Sequence, residues 1–310
     1  MVQVGNYMLG NIITRGGNSV IYDCTNVDND KDMVAKVIRL IDVDAEKLFH
    51  QESSILKRLQ ASPNIITVND IMIKNSYGFL ILPRMRQDLL EVLEAEGSFS
   101  EIEAKMVFFQ VCSAIQACHK KGIAHLDIKP ENILQGFDGN YYLADFGCSF
   151  CRQAAIGSTT KGNFGTYIYS APEVRNHLEY DPFAADIWSL GILLHVLLTG
   201  AWPYDVEPKD FKKSTPLAIL PGKFPGILDN LLWSMLRVQP KKRITINEIL
   251  RHPWFDGMSD NYVEPISEDE EYFDDSLDVV PVHIPKERRF SFLGALSSLF
   301  RSFKMKRAQI

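Results

Sequence analysis

The sequence predicts an α+β protein in two lobes, a small β-rich lobe followed by a larger helical one. Three observations carry this. Apolar runs of β-type residues, separated by turn formers, crowd residues 7–82 around a single helical pattern. From about Asp88 onward, apolar residues recur at three- and four-residue spacing instead. The chain is also 310 residues long, at or beyond the roughly 250–300 residues where one core divides.

In order along the chain, runs at 7–13, 20–25, 33–40, 65–73 and 77–82 read as strands. The turn-rich stretch 26–32 (NVDNDKD) separates the second from the third. Residues 45–60 place Leu48, Phe49, Glu52, Ile55, Leu56 and Leu59 at helical spacing. In the second lobe, 101–121 carries Ala104, Val107, Phe108, Val111, Ile115 and Cys118 on one face, and Gly122 supplies a stop signal. Residues 184–198 are apolar nearly all round, which predicts a buried central helix. Shorter helices are expected at 225–236 and 245–251, and no repeat of 20–50 residues is evident.

Composition narrows the class. With 46% hydrophobic and 23% charged residues, the chain has globular proportions. A net charge of −6 argues against a general nucleic-acid binder. That charge is unevenly spread: residues 256–278 hold ten acidic and no basic residues, whereas 283–310 hold seven basic and one acidic. The five cysteines (Cys24, Cys112, Cys118, Cys148 and Cys151) are few and odd in number, unlike a secreted disulfide framework. Cys148-x-x-Cys151 has redox or zinc spacing but no second Cys/His pair to complete a site, so both are read as unpaired thiols. The N-terminus lacks the basic stretch and long apolar run of a signal peptide. The most apolar segment, 187–202, is interrupted by Ser189, Gly191, His195 and Gly200 and is too short to span a bilayer. A soluble intracellular protein is expected, cytoplasmic with nuclear access left open.

One ordered constellation carries chemistry. The first strand pair is joined through Ile13, Thr14, Gly16, Gly17 and Ser19 to Ile21, small residues that let backbone N–H groups approach phosphates. Lys36 follows on a strand (MVAK, with Val34 two before it), and Glu52 lies sixteen residues further on the helix. His125-Leu126-Asp127-Ile128-Lys129-Pro130-Glu131-Asn132 comes next, then Asp145-Phe146-Gly147, Gly165-Thr166, Ala171-Pro172-Glu173, Asp186 and Arg243. Phosphoryl transfer needs magnesium on hard oxygen ligands, a lysine on the phosphates and a carboxylate near the attacking hydroxyl. Asn132 and Asp145 supply the first, Lys36 the second and Asp127 the third.

At these residues the sequence resembles the eukaryotic protein-kinase family over about 7–255, a family that also serves as a general template for this chemistry. The resemblance implies a two-lobed kinase fold, with an N-lobe over about 7–82, a hinge at 83–85 and a C-lobe over about 86–255. It implies ATP and Mg²⁺ as cofactors. Lys36 would pair with Glu52 and hold the α- and β-phosphates, and Lys129 would steady the γ-phosphate. Asp127 would orient or deprotonate the substrate hydroxyl, and Asn132 and Asp145 would bind the metal. Glu173 would pair with Arg243, and Asp186 would tether the catalytic loop. Adenine would lie between Ile13, Ile21 and Val34 above and Leu134 below, with Leu82 as gatekeeper and Pro83 to Met85 as hinge. Lys129 after Asp127, with Thr166, is similar to the serine/threonine type. Residues 186–200 (DIWSLGILLHVLLTG) and 251–255 (RHPWF) most resemble the calcium/calmodulin-dependent and AMP-activated-like branch. Asp88 and Glu131 suggest carboxylates that receive a basic residue upstream of the phosphoacceptor, a basophilic preference.

The sequence departs from that pattern in two places. Thr14 and Ser19 replace loop glycines and Val34 an alanine, which predicts a stiffer phosphate loop and a tighter adenine ceiling. Leu126 stands where an arginine usually precedes the catalytic aspartate, and Gly162 where its phosphorylated partner usually lies. Both halves of the phosphate switch are absent, so activity is expected without phosphorylation there, although Ser158, Thr159 and Thr160 lie nearby.

Beyond the kinase-like region, 256–282 is an acidic linker expected to be disordered, and 283–310 a basic amphipathic tail. Phe292, Leu293, Leu296, Leu299, Phe300 and Phe303 form one helical stripe, punctuated by Arg288, Arg289, Arg301, Lys304, Lys306 and Arg307. Docking on the kinase domain, an anionic membrane surface and a calmodulin-like partner all fit segment 288–307. Arg288-Arg289-Phe290-Ser291 also reads as a basophilic phosphorylation or pseudosubstrate sequence. The expected function is an ATP- and Mg²⁺-dependent serine/threonine protein kinase acting on protein Ser/Thr hydroxyls. The alternative is an ATP-binding pseudokinase or scaffold.

Overall fold

Strands with one apolar face must close that face against something, and here a six-stranded antiparallel sheet does so in the smaller of two units. The computed structural model describes residues 2–17, 19–152, 159–161, 165–204, 217 and 222–258. They form two compact units, one made of residues up to 57 with 67–84, the other of 58–66 with 85–256. In the first, β1 (Val2–Val4), β2 (Tyr7–Arg15), β3 (Ser19–Asn26), β4 (Asp32–Arg39), β5 (Asp70–Lys74) and β6 (Tyr77–Pro83) lie in the order β1-β2-β3-β4-β6-β5. The helix α1 (Val43–Arg58) connects β4 to β5.

The register divides the strand residues between two faces. Tyr22, Ala35 and Ile81 share one row, and with Tyr7, Leu9, Met33 and Phe79 they build the apolar core of this sheet. Ile21, Lys36 and Leu80 form the next row, on the opposite face. On that face Gly78 stands opposite Ile38. A Cβ at Gly78 would come within 2.5 Å of the Phe49 ring, so the missing side chain makes room for α1. Phe49 is 1% exposed, which anchors the helix that carries Glu52.

Residues 65–73 do not form the single strand that their apolarity predicts; only Asp70–Lys74 joins the sheet. Ile65 and Ile66 are buried in the larger unit, where Ile66 N donates to Leu143 O and Leu143 N to Asn64 O. The two ends of the run serve two cores, and an apolar run reports burial rather than strand. Strand β1 escapes sequence reading because three residues are too few to show alternation.

The larger unit is mainly helical. Its short strands are β7 (Gln87–Asp88), β8 (Ile123–Ala124), β9 (Ile133–Gln135), β10 (Tyr141–Leu143) and β11 (Phe150–Cys151). Its helices are α2 (Leu89–Glu96), α3 (Glu101–Lys120), α4 (Pro172–Arg175), α5 (Pro182–Thr199), α6 (Gly226–Met235) and α7 (Ile246–Leu250). Capping boxes open α2 (Asp88 with Glu91), α3 (Ser100 with Glu103) and α7 (Thr245 with Glu248). Gly122, at φ +66°, turns the chain out of α3 as its stop signal predicts. Among the described residues α5 alone is long and apolar enough to cross a membrane, but 78% of it is buried inside the protein, so it is a core helix. The acidic linker from 259 onward, the basic tail, Ser158 and Gly162 lie outside the described residues.

Candidate active site

In the smaller unit the sheet face opposite the core carries Ile21, Val34, Lys36 and Leu82 in adjoining rows. Lys36 Nζ donates to Glu52 Oε1 at 2.6 Å, both side chains buried. A buried ammonium is costly unless paired, and α1 supplies the carboxylate that holds it. Ile13 sits in the bulge where β2 loses register with β3, between the pairs Ile12–Tyr22 and Thr14–Ile21. Thr14, Gly16 and Gly17 are exposed, and Gly16 N donates to Ser19 O at 2.8 Å, closing the turn. Pro83 ends β6 opposite Met33, where its missing N–H costs the ladder least.

In the larger unit one buried carboxylate organises the loop after α3. Asp186, on α5 and fully buried, accepts from His125 N (2.8 Å, Oδ2) and Leu126 N (2.8 Å, Oδ1). His119 Nε2 lies 2.9 Å from the same Oδ2. His125 in turn accepts from Asp127 N through Nδ1 (3.3 Å), which leaves Nε2 to donate to Ala144 O (3.0 Å). These bonds hold Leu126 at φ +63°, a left-handed conformation that costs a leucine about 1–2 kcal/mol.

The strained turn presents Asp127 to several donors. Its Oδ1 accepts from Thr166 N (2.7 Å) and Thr166 Oγ1 (2.9 Å), its Oδ2 from Asn132 Nδ2 (2.9 Å) and Lys129 Nζ (2.9 Å). Lys129 Nζ also donates to Thr166 Oγ1 at 2.7 Å. Burial opposes the charge on Lys129, but Asp127, Glu131 and Asp145 outweigh it and raise the ammonium's pKa, so it stays protonated. Gly165, at φ +78°, permits this closeness: a Cβ there would overlap the Leu126 carbonyl oxygen.

Asn132 spends its amide nitrogen on Asp127 O (2.8 Å) and Oδ2, which leaves its amide oxygen as the acceptor end. Asp145 carries an exposed carboxylate at φ +60°. No cluster of three or more His, Cys, Asp or Glu suited to a metal occurs among the described residues. Two hard oxygens of this kind fit magnesium, which takes one or two protein carboxylate-type ligands and completes its shell with phosphate and water.

Glu173 and Arg243 meet as a buried fork, Nη1–Oε1 2.6 Å and Nη2–Oε2 2.8 Å. Arg243 also donates to Arg237 O and Ala184 O and lies over the Trp188 ring. Leu134, on β9, pairs with Asp88, which accepts from Glu91 N at 2.9 Å as the cap of α2. Burial raises the pKa of Asp88 and of Glu131, and Glu131 Oε2 has no hydrogen-bond partner. Met85, half-buried, begins the second stretch of this unit. Thr159 Oγ1 donates to Glu179 Oε1 (2.6 Å), and Lys161 pairs with the same carboxylate at 3.4 Å. Burial, with the charges of Asp127 and Asp145, pushes the Cys148 thiol up to about 12. Cys151 accepts from Arg58 Nη1 at 2.8 Å.

Sequence reasoning misses three of these roles. Thr166 bridges Asp127 and Lys129, Gly165 provides the close approach, and His119 joins the Asp186 cluster from 67 residues away. The Gly-Thr pair is visible in the sequence; nothing in it signals His119.

Comparison with known proteins agrees with this geometry. A family profile described as "Protein kinase domain" matches residues 7–255. CBL-interacting protein kinase 31 of Oryza sativa subsp. japonica is 32% identical over 283 residues, covering 88% of this chain and 62% of that protein. CBL-interacting protein kinase 24 of the same organism is 32% identical over 265 residues, covering 82% and 57%. CBL-interacting serine/threonine-protein kinase 8 of Arabidopsis thaliana is 31% identical over 260 residues, covering 82% and 58%. The chain thus spans about three-fifths of the length of these curated relatives.

Proposed function

Because the chain belongs to the protein kinase family, we propose that it is an active serine/threonine protein kinase, passing the γ-phosphoryl group of ATP to protein hydroxyls. The observation that carries this reading is the cradle around Asp127, in which Thr166, Asn132 and Lys129 all address one carboxylate. Asp127 accepts or orients the proton of the attacking hydroxyl. Lys129, kept protonated by its acidic neighbours, offsets charge on the transferred group. Lys36, pre-paired with Glu52, holds the nucleotide's phosphates. Ile13, Ile21, Val34, Leu82 and Leu134 offer apolar surface to its base. The loop at Thr14, Gly16, Gly17 and Ser19 offers backbone N–H groups. Asn132 and Asp145 would hold Mg²⁺, which supplies charge neutralisation at the phosphates.

Two finer points are part of the proposal. Leu126 is 8% exposed and lines an apolar pocket with Ala171, Val174 and Ala185, so it offers no charge to a phosphate. Glu179 already ties Thr159 and Lys161, which supports activity without phosphorylation at the usual loop position, Gly162. Asp88 and Glu131, close enough for their charges to act on one another, support a preference for basic residues beside the acceptor. A peptide-library phosphorylation assay on the phosphatase-treated chain tests both, with Asp127→Asn as control. Transfer to Ser/Thr peptides enriched in Arg or Lys, abolished in the variant, is expected. ATP binding without transfer would instead establish the pseudokinase alternative.

A further inference from the structure

The outer side of α3 carries an apolar row that no described residue covers. Ile102 is 74% exposed and Met106, one turn on, is 45% exposed. The β9–β10 turn lies to one side of α3, held by Tyr141 N donating to Gln110 Oε1 at 2.8 Å, and its tip shows Phe137 at 74% exposure. Around this row the charge is mainly acidic, although Lys105 stands between Ile102 and Met106 with its ammonium over the Trp254 ring. Residues 88–103 hold Asp88, Glu91, Glu94, Glu96, Glu101 and Glu103 and no lysine or arginine. Glu96 and Glu103 act on the Tyr141 phenol, with Arg86 opposing them, which places two carboxylates and one cation toward the turn.

The described chain ends against the neighbouring face of the same helix. Trp254 packs 6.1 Å from Phe108 and donates Nε1 to Glu101 Oε1 at 2.9 Å, and Phe255 packs 5.5 Å from Phe109. The tail beyond the acidic linker matches the row in both chemistry and charge. At 100° per residue, Phe292, Leu293, Leu296, Leu299, Phe300 and Phe303 fall within an arc of about 120°. Seven basic residues against one acidic accompany them in 283–310. Twenty-nine residues, 259–287, lead there, a reach of about 30 Å for a coil, at an effective concentration near millimolar.

We propose that residues 288–307 dock as an amphipathic helix on the acidic face formed by α2, α3 and the β9–β10 turn. The apolar stripe covers Ile102, Met106 and Phe137, and its basic residues face the carboxylates of 88–103. The occupant is this chain's own tail, because the chain leaves the folded unit beside the face and carries the opposite charge. The linker's ten carboxylates attract the same basic residues, but α3 adds an apolar row for the stripe.

Photocrosslinking of the full chain with Phe300→p-benzoylphenylalanine tests this. The expected adducts are intramolecular and fall on 101–109 or 136–140. Ile102→Lys with Met106→Lys lowers their yield about tenfold, and raised salt lowers the yield of the native chain. Both substituted side chains are exposed, so an unchanged melting temperature verifies that the fold is retained. Adducts confined to 256–278, adducts only between copies, or a yield indifferent to the α3 variant would overturn the proposal. Adducts on α3 that form only after phosphatidylserine vesicles or Ca²⁺/calmodulin are added would overturn it as well.

Discussion

Replacing Gly165 by alanine probes the point where the loop carrying Thr166 meets the loop carrying Asp127. Two costs can be worked from the structure. At φ +78° a Cβ meets its own backbone, a penalty of about 1–2 kcal/mol. The same Cβ would overlap the Leu126 carbonyl oxygen and stand 3.1 Å from Asp127 Oδ1, so the segment must retreat by about 1 Å. That retreat stretches both bonds from Thr166 to Asp127, now 2.7 and 2.9 Å. A misplacement of this size costs about 10²-fold in rate. Steady-state phosphorylation of a peptide substrate should therefore show kcat reduced about a hundredfold. ATP affinity, measured by calorimetry, should change little, because the loop of Thr14, Gly16 and Gly17 is untouched. Thr166→Ala, which keeps Gly165 but removes the hydroxyl, should fall between the variant and the native chain. A Gly165→Ala enzyme within threefold of native kcat would refute the claim that this close approach positions Asp127.

Other consequences concern the scaffold. Arg243→Ala leaves Glu173 charged, buried and unpaired, so urea denaturation should show a loss of about 3–5 kcal/mol; a loss under about 1 kcal/mol would mean that water reaches the pair. Gly78→Ala forces a Cβ against the Phe49 ring, an overpacking cost of about 1–3 kcal/mol. It should also weaken ATP binding through Glu52, and an unchanged Kd would disconnect α1 from Lys36. Burial lowers the pKa of His195 to about 4, below the ordinary value near 6.5. The unfolded chain then binds the extra proton first as pH falls, so stability is whole above about 6.5 and is lost toward 4. Between pH 7.5 and 5.5 this one group should cost about 1.4 kcal/mol, and His195→Gln should flatten that part of the curve.

Much of the fold is legible in the sequence because periodicity and caps are local. The helices at 101–121 and 184–198 match the structure nearly to the residue, since Gly122 and Gly200 end them and their buried faces repeat every turn. The run at 65–73 misleads because one apolar stretch feeds two cores, a division that no local pattern encodes. At the site, the spacing of Lys36, Glu52, Asp127, Lys129, Asn132 and Asp145 names the residue types that phosphoryl chemistry requires. It does not show that Thr166 and Gly165 close on Asp127, or that Asp186 and His119 brace the loop from helices 67 residues apart.

The sequence by itself determined the element types, the family resemblance and the chemical inventory, because each is written in residue identity at short or ordered spacing. Only the tertiary structure decided which groups share a proton or a charge. Lys36 and Glu173 are costly buried charges until Glu52 and Arg243 arrive from 16 and 70 residues away. Leu126 tolerates its left-handed turn only because Asp186 takes its N–H from another helix. Those partners are chosen by packing, and packing is a property of the folded chain.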